Sequence, residues 1–186
     1  MEMTRRLTMW SIVPRVMTMP NYGWTLARDH GPLAEVAVLR FLLPLSLISG
    51  GAEFFSLLYP NAPSFTGALV GAVVMFCSFF LGYYIALVMA KLFLPREERG
   101  FPHSQYGRLL AMTGVATLAI FHILFKLLPM FDFIIEFFPL WTIFLLYKGM
   151  KIADVPQEKW TVSLAVVCLA VICSPPLVEW IFSLFT

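Results

Sequence analysis

Five apolar runs constrain this chain more than any other feature. They cover residues 36–58, 66–93, 108–128, 131–150 and 161–185. A helix crosses the hydrocarbon core of a bilayer in ~20 residues. Only helices and closed barrels satisfy their backbone in lipid, and none of the runs alternates as a barrel strand does. The expected fold is all-α: a polytopic membrane protein with a bundle of five transmembrane helices over residues 35–186, preceded by a short interfacial segment over 1–34. The second run exceeds the span length, so it is expected to tilt or to leave the membrane near Lys91. The division between the third and fourth runs rests on LLPMFD (127–132), where Pro129 ends one helix and Asp132 caps the next. The first run is expected to be retained as a span, because no cleavage site follows an apolar segment of signal length.

Charge agrees with this class. Only 13% of the residues are charged, against about 25% in soluble domains. A net charge of +2 gives no basic face for nucleic acid. Twelve of the 13 lysines and arginines flank the first, second and fifth runs on one side; Lys126 alone falls on the other. The positive-inside rule then predicts a cytoplasmic N-terminus, two cytoplasmic loops (94–107 and 148–159) and an outward C-terminus. Cys77, Cys168 and Cys173 lie inside apolar runs without metal-ligand spacing, so they are read as buried small hydrophobes, and no metal or cofactor is expected.

Residues 1–34 mix arginines with aromatic residues. Arg5, Arg6, Trp10, Arg15 and Trp24 are expected at the membrane interface, rings in the headgroups and guanidiniums toward anionic lipid. A break is expected at Pro14, and a second helix after Pro20.

The first run carries a glutamate directly after two glycines, in SGGAEFF (49–55). At 100° per residue, Ser46, Ser49, Gly50, Glu53 and Ser56 share about a third of the helix circumference. Such a stripe faces other helices or a water-filled cavity. Pro44 leaves the carbonyl of residue 40 without its helical donor and is expected to kink the helix. His122 and Lys126 end the third run at the same membrane level; Asp132 and Glu136 begin the fourth there, and Glu179 lies in the outer part of the fifth. Three readings stay open for these six groups: structural pairing or snorkelling, a proton, ion or small-molecule site, and contact with a partner protein. Small residues suggest helix-packing seams at Gly50, Gly51, Gly67, Gly71, Gly82 and Gly114. Haem ligation by His122 would need a second buried histidine, and His30 and His103 lie in polar segments. No catalytic motif is present, and an enzyme is not expected.

Three stretches carry a family resemblance: MPNYGW (19–24), FLLPLSLISGGAEF (41–54) and FPLWTIFLLYKGMKIADVPQEKW (138–160). In these the chain resembles the Yip (Ypt-interacting protein) family of five-span membrane proteins, in its bacterial form. The resemblance implies five spans with a cytoplasmic N-terminal region, in the bacterial cytoplasmic (inner) membrane. Eukaryotic members bind small GTPases and shape vesicle traffic; the 34 residues before the first span here lack their long acidic or proline-rich tail. The expected role is a non-catalytic scaffold or accessory subunit. Its partners would be membrane lipids, other membrane proteins or further copies of itself. The alternative is a transporter or channel component using the intramembrane carboxylates.

Overall fold

The computed structural model describes residues 7–30, 34–59, 63–93, 103–128, 137–152 and 157–184, and these are almost wholly helical. The N-terminal segment forms a helical hairpin, α1 (Met9–Thr18) and α2 (Pro20–His30). Pro14 does not break α1, which continues through it to Thr18. The break comes at Met19 (φ −133°, ψ 73°). That residue precedes Pro20, whose ring drives its neighbour out of the α region, while Pro20 itself opens α2 at a position that needs no N–H. The Leu7 N–H donates to the His30 carbonyl at 3.0 Å, closing the hairpin. At the crossing, a Cβ on Gly23 would overlap the backbone of Val16, so only glycine lets the two helices touch there.

The first span is not one uniform α-helix. It runs through α3 (Ala34–Ala37), a π-helical turn (Val38–Leu42), α4 (Leu43–Gly51) and a 3-10 segment (Ala52–Leu58). The π turn sits directly before Pro44, where the helical hydrogen-bond ladder has to shift. The tightening into 3-10 geometry follows the two glycines, which hold an α-helix weakly. The remaining elements are α5 (Phe65–Phe93), α6 (His103–Leu127), α7 (Phe138–Ile152) and α8 (Gln157–Ser183).

Among the described residues, four stretches are long and apolar enough to cross a membrane: Val38–Leu58, Phe65–Leu92, Gly107–Leu127 and Trp160–Ser183. They correspond to four of the five apolar runs. The fourth run overlaps α7, whose 15 described residues fall short of a span. Residues 129–136, with Pro129, Asp132 and Glu136, lie outside the described residues, as do Arg5 and Arg6.

The most extensive pairing in the bundle is that of α5 with α8. Gly82 faces Ser174 and Pro175, and a Cβ there would lie 3.2 Å from Ser174 Oγ and 3.3 Å from the Pro175 nitrogen. Pro175 has no N–H for the Val171 carbonyl, and the Ser174 hydroxyl donates to that oxygen instead, at 3.4 Å. α6 is the central helix, buried along most of residues 109–119. Gly114 faces Val171 of α8 and Leu146 of α7. The outward surfaces of α5 and α8 stay apolar, with Val73, Val88, Leu169 and Trp180 exposed. Cys173 also lies on this exposed surface rather than in the core, while Cys168 is buried.

The hairpin is part of the core. Ile12, Val13, Val16 and Trp24 have no exposed surface and pack with Leu110 and Met150. Trp24 therefore does not sit in lipid headgroups. Its indole N–H donates to the Leu145 carbonyl of α7 at 2.8 Å, and Gly149 leaves room for the ring. Trp10 is half-exposed; its ring stands edge-on to Phe41, centroids 4.8 Å apart. Arg15 is exposed.

Candidate functional site

At the opposite end of the first span from the hairpin, Glu53 is 8% exposed. It sits in the first turn of the 3-10 segment, and that segment packs against α5 and α6. Its Oε2 lies 2.8 Å from Lys126 Nζ and its Oε1 lies 3.0 Å from His122 Nε2. His122 and Lys126 are four residues apart on α6, one helical turn, so both reach the same carboxylate. The lysine contact is an ion pair. The imidazole edge meets Oε1 off the N–H axis, so neither atom gains a well-aligned hydrogen bond from the approach. The His122 ring also packs at 5.7 Å from the Phe79 ring.

The third wall of the site is Gly71 of α5. A Cβ built there would meet Glu53 Cγ and Oε2 at 3.5 Å. A small residue at this position lets the carboxylate approach α5, and a methyl there would be in ordinary contact. Below it the Ser56 hydroxyl donates to the Glu53 carbonyl at 2.5 Å. At the rim the Tyr59 hydroxyl donates to the Leu127 carbonyl at 3.0 Å, tying the end of the 3-10 segment to the end of α6. Glu179 of α8 lies within electrostatic reach of His122, Glu53 and Lys126.

The structure thus assembles Glu53, His122, Lys126 and Glu179 from three spans at one level. Asp132 and Glu136, the other two candidates, lie outside the described residues. No group of three or more potential metal ligands occurs among the described residues. The glycine seams divide. Gly50, Gly71, Gly82 and Gly114 meet neighbouring helices, whereas Gly51 has nothing within 4 Å and Gly67 meets only Pro63 and Ser64 of its own turn. The G-x-x-x-G of Gly67 and Gly71 is therefore not a continuous contact; its first glycine is exposed beyond the end of the α4–α5 interface. His122 and Gly114 also serve different faces of α6, one toward Glu53 and one toward α7 and α8. Gly149 and Gly23 are packing glycines that the sequence reading missed. Both lie within the quoted family stretches, but nothing in helical periodicity sets them apart.

These features define an all-helical integral membrane protein: apolar spans around a buried helix, with Glu53 and its charged partners held in internal contacts. Comparison with known proteins then narrows the class. The model of the Yip1 domain matches residues 15–176, and the chain belongs to that family. Neither the curated proteins nor the solved structures returned a significant match.

Proposed function

We propose that this Yip-family protein is a non-catalytic, five-span scaffold or accessory subunit that binds other membrane proteins or organises lipid in the bacterial cytoplasmic membrane. The observation that carries the reading is the state of Glu53. Its carboxylate is met by Lys126 and His122 from α6 and by the backbone at Gly71. A carboxylate that loads and releases an ion would first have to give up the lysine. As it stands, it pins the first span to α5 and α6. The transporter reading draws its support from Glu179, which adds a second carboxylate to one lysine and one histidine.

The fifth span is assigned to the fourth apolar run, 131–150, of which α7 covers the described part. The orientation follows from the basic residues, with the docked hairpin on the cytoplasmic side and the Glu53 cluster toward the outside. Extraction in mild detergent tests the role, with the particle mass measured and every co-purifying chain identified. A complex with stoichiometric partners is the expected result. A lone monomer or small homo-oligomer would reject the scaffold reading in favour of a self-sufficient role at the Glu53 cluster.

A further inference from the structure

We infer that the seam between α4 and α5, directly beneath Glu53, is a binding site for internal water reaching the Glu53–His122 contact. The inference goes beyond the scaffold reading and needs no passage across the membrane.

Eight buried side-chain nitrogen and oxygen atoms among the described residues have no hydrogen-bond partner, and five belong to Ser46, Ser49, Glu53, Ser78 and His122. Those three serines have no exposed surface. The helices place them together. Gly71 faces Glu53, and Gly50 faces Ala72 and Phe76, so α4 and α5 run antiparallel in this register. Seven residues are close to two full turns and return to the same face. Stepping inward by seven from Glu53 and from Gly71 reaches Ser46 and Ser78, at one level about 10 Å deeper by the helical rise; Ser78 is one turn from Gly82, so it stands where this seam meets α8. Ser49 lies between, opposite Met75 in the same register.

These hydroxyls differ from the other buried ones. Thr117, Thr142 and Ser174 donate to carbonyls of their own helices, Thr113, Phe138 and Val171 respectively. Ser46, Ser49 and Ser78 do not. A buried polar group left without a partner is costly, and several converging at one seam are what an internal water satisfies, commonly with two to four partners. Glu53 Oε1 and His122 Nε2, 3.0 Å apart but misaligned, supply acceptor and donor at the top of the column. Thr113 is also unpartnered, but on α6 it lies about half a turn from His122 and outside the seam.

Radiolytic hydroxyl-radical footprinting of the full-length protein in lipid nanodiscs tests this, because the radicals form from water at the point of contact. Met75, which is partly buried, is the reporter, and Met112 and Met150, 1% and 0% exposed, are dry references; because the reporter keeps some surface of its own, the change on removing the serines decides. Met75 is expected to oxidise severalfold faster than either reference. The S46A/S78A variant, which removes two water ligands, should slow Met75 toward them. Equal resistance of Met75 and Met112 in the wild type overturns the inference. So does oxidation of Met75 that the double variant leaves unchanged. Should that variant fail to accumulate, S49A replaces it with the same two outcomes.

Discussion

The indole N–H of Trp10 donates to the carbonyl oxygen of Arg40 at 3.0 Å, and Pro44, four residues further on, has no N–H to give that oxygen. The proline creates an acceptor in the first span, and the hairpin supplies the donor. Trp10→Phe should therefore cost about 0.5–1.5 kcal/mol, the net worth of one such bond. In a Pro44→Ala background the helix recovers a donor of its own, so the same substitution should cost less. Thermal unfolding of the four proteins in detergent gives the comparison; an equal loss in both backgrounds would show that the indole does not compensate for the proline.

Trp24 and Gly149 form the second anchor. A Cβ at position 149 would lie 2.7 Å from the Trp24 ring and 2.8 Å from Leu110. Gly149→Ala overfills this contact, at a cost of about 1–3 kcal/mol, and the hairpin should loosen first. Limited proteolysis within residues 7–30 should accelerate while the spans stay protected. Trp24→Phe keeps most of the packing and loses the bond to Leu145, so it should have the smaller effect. A hairpin no more sensitive to protease in Gly149→Ala than in wild type would mean that the docked arrangement does not persist in solution.

The stretch MPNYGW illustrates which parts of the fold can be read from sequence. Local rules reach the start at Pro20, which follows from proline sterics, but they put the break at Pro14, which α1 passes through, rather than at Met19. They do not reach Trp24, because an aromatic among arginines fits a headgroup layer as well as a buried notch. The partner that decides is Gly149, 125 positions away. The same division holds at Glu53. Periodicity places Ser46, Ser49, Gly50 and Glu53 on one internal stripe, and counting residues along the spans puts His122, Lys126 and Glu179 at the same depth. Which groups touch is not legible: Gly71 looked like one half of a packing motif, and its neighbour is instead the Glu53 carboxylate. Likewise the departure of the first span from a uniform α-helix has local causes, Pro44 and the glycine pair, but its π and 3-10 turns depend on the whole bundle.

The glycines give a graded test of packing. Gly50→Ala places a methyl 2.5 Å from the Ala72 carbonyl oxygen, a backbone atom that cannot swing aside. It should be the most damaging alanine substitution on this seam. Gly71→Ala meets Glu53 at 3.5 Å, ordinary contact, and should be tolerated, while Gly71→Leu should displace the carboxylate and sharply reduce stability. Gly67→Leu, on an exposed turn, should stay within about 0.5 kcal/mol of wild type. Accumulation in the membrane and melting temperature rank the four. If Gly67→Leu proves as harmful as Gly71→Leu, the exposed glycine has a partner outside this chain.

The Glu53–Lys126 pair separates a structural charge from a working one. Removing one partner of a buried ion pair leaves the other uncompensated, which costs about 3–5 kcal/mol; replacing both together is often neutral. Lys126 keeps 22% of its side-chain surface exposed, so Lys126→Met should fall at the low end, near ~3 kcal/mol. Glu53→Gln should be milder, since the amide can still accept from the lysine. The double variant should recover most of the loss in Lys126→Met. That coupling, read from melting temperatures in detergent, is what a pin between the first span and α6 requires. If the two losses simply add, the groups act independently and the pin is wrong. If the double variant folds as well as wild type yet its partners no longer co-purify, the cluster serves assembly as well as stability.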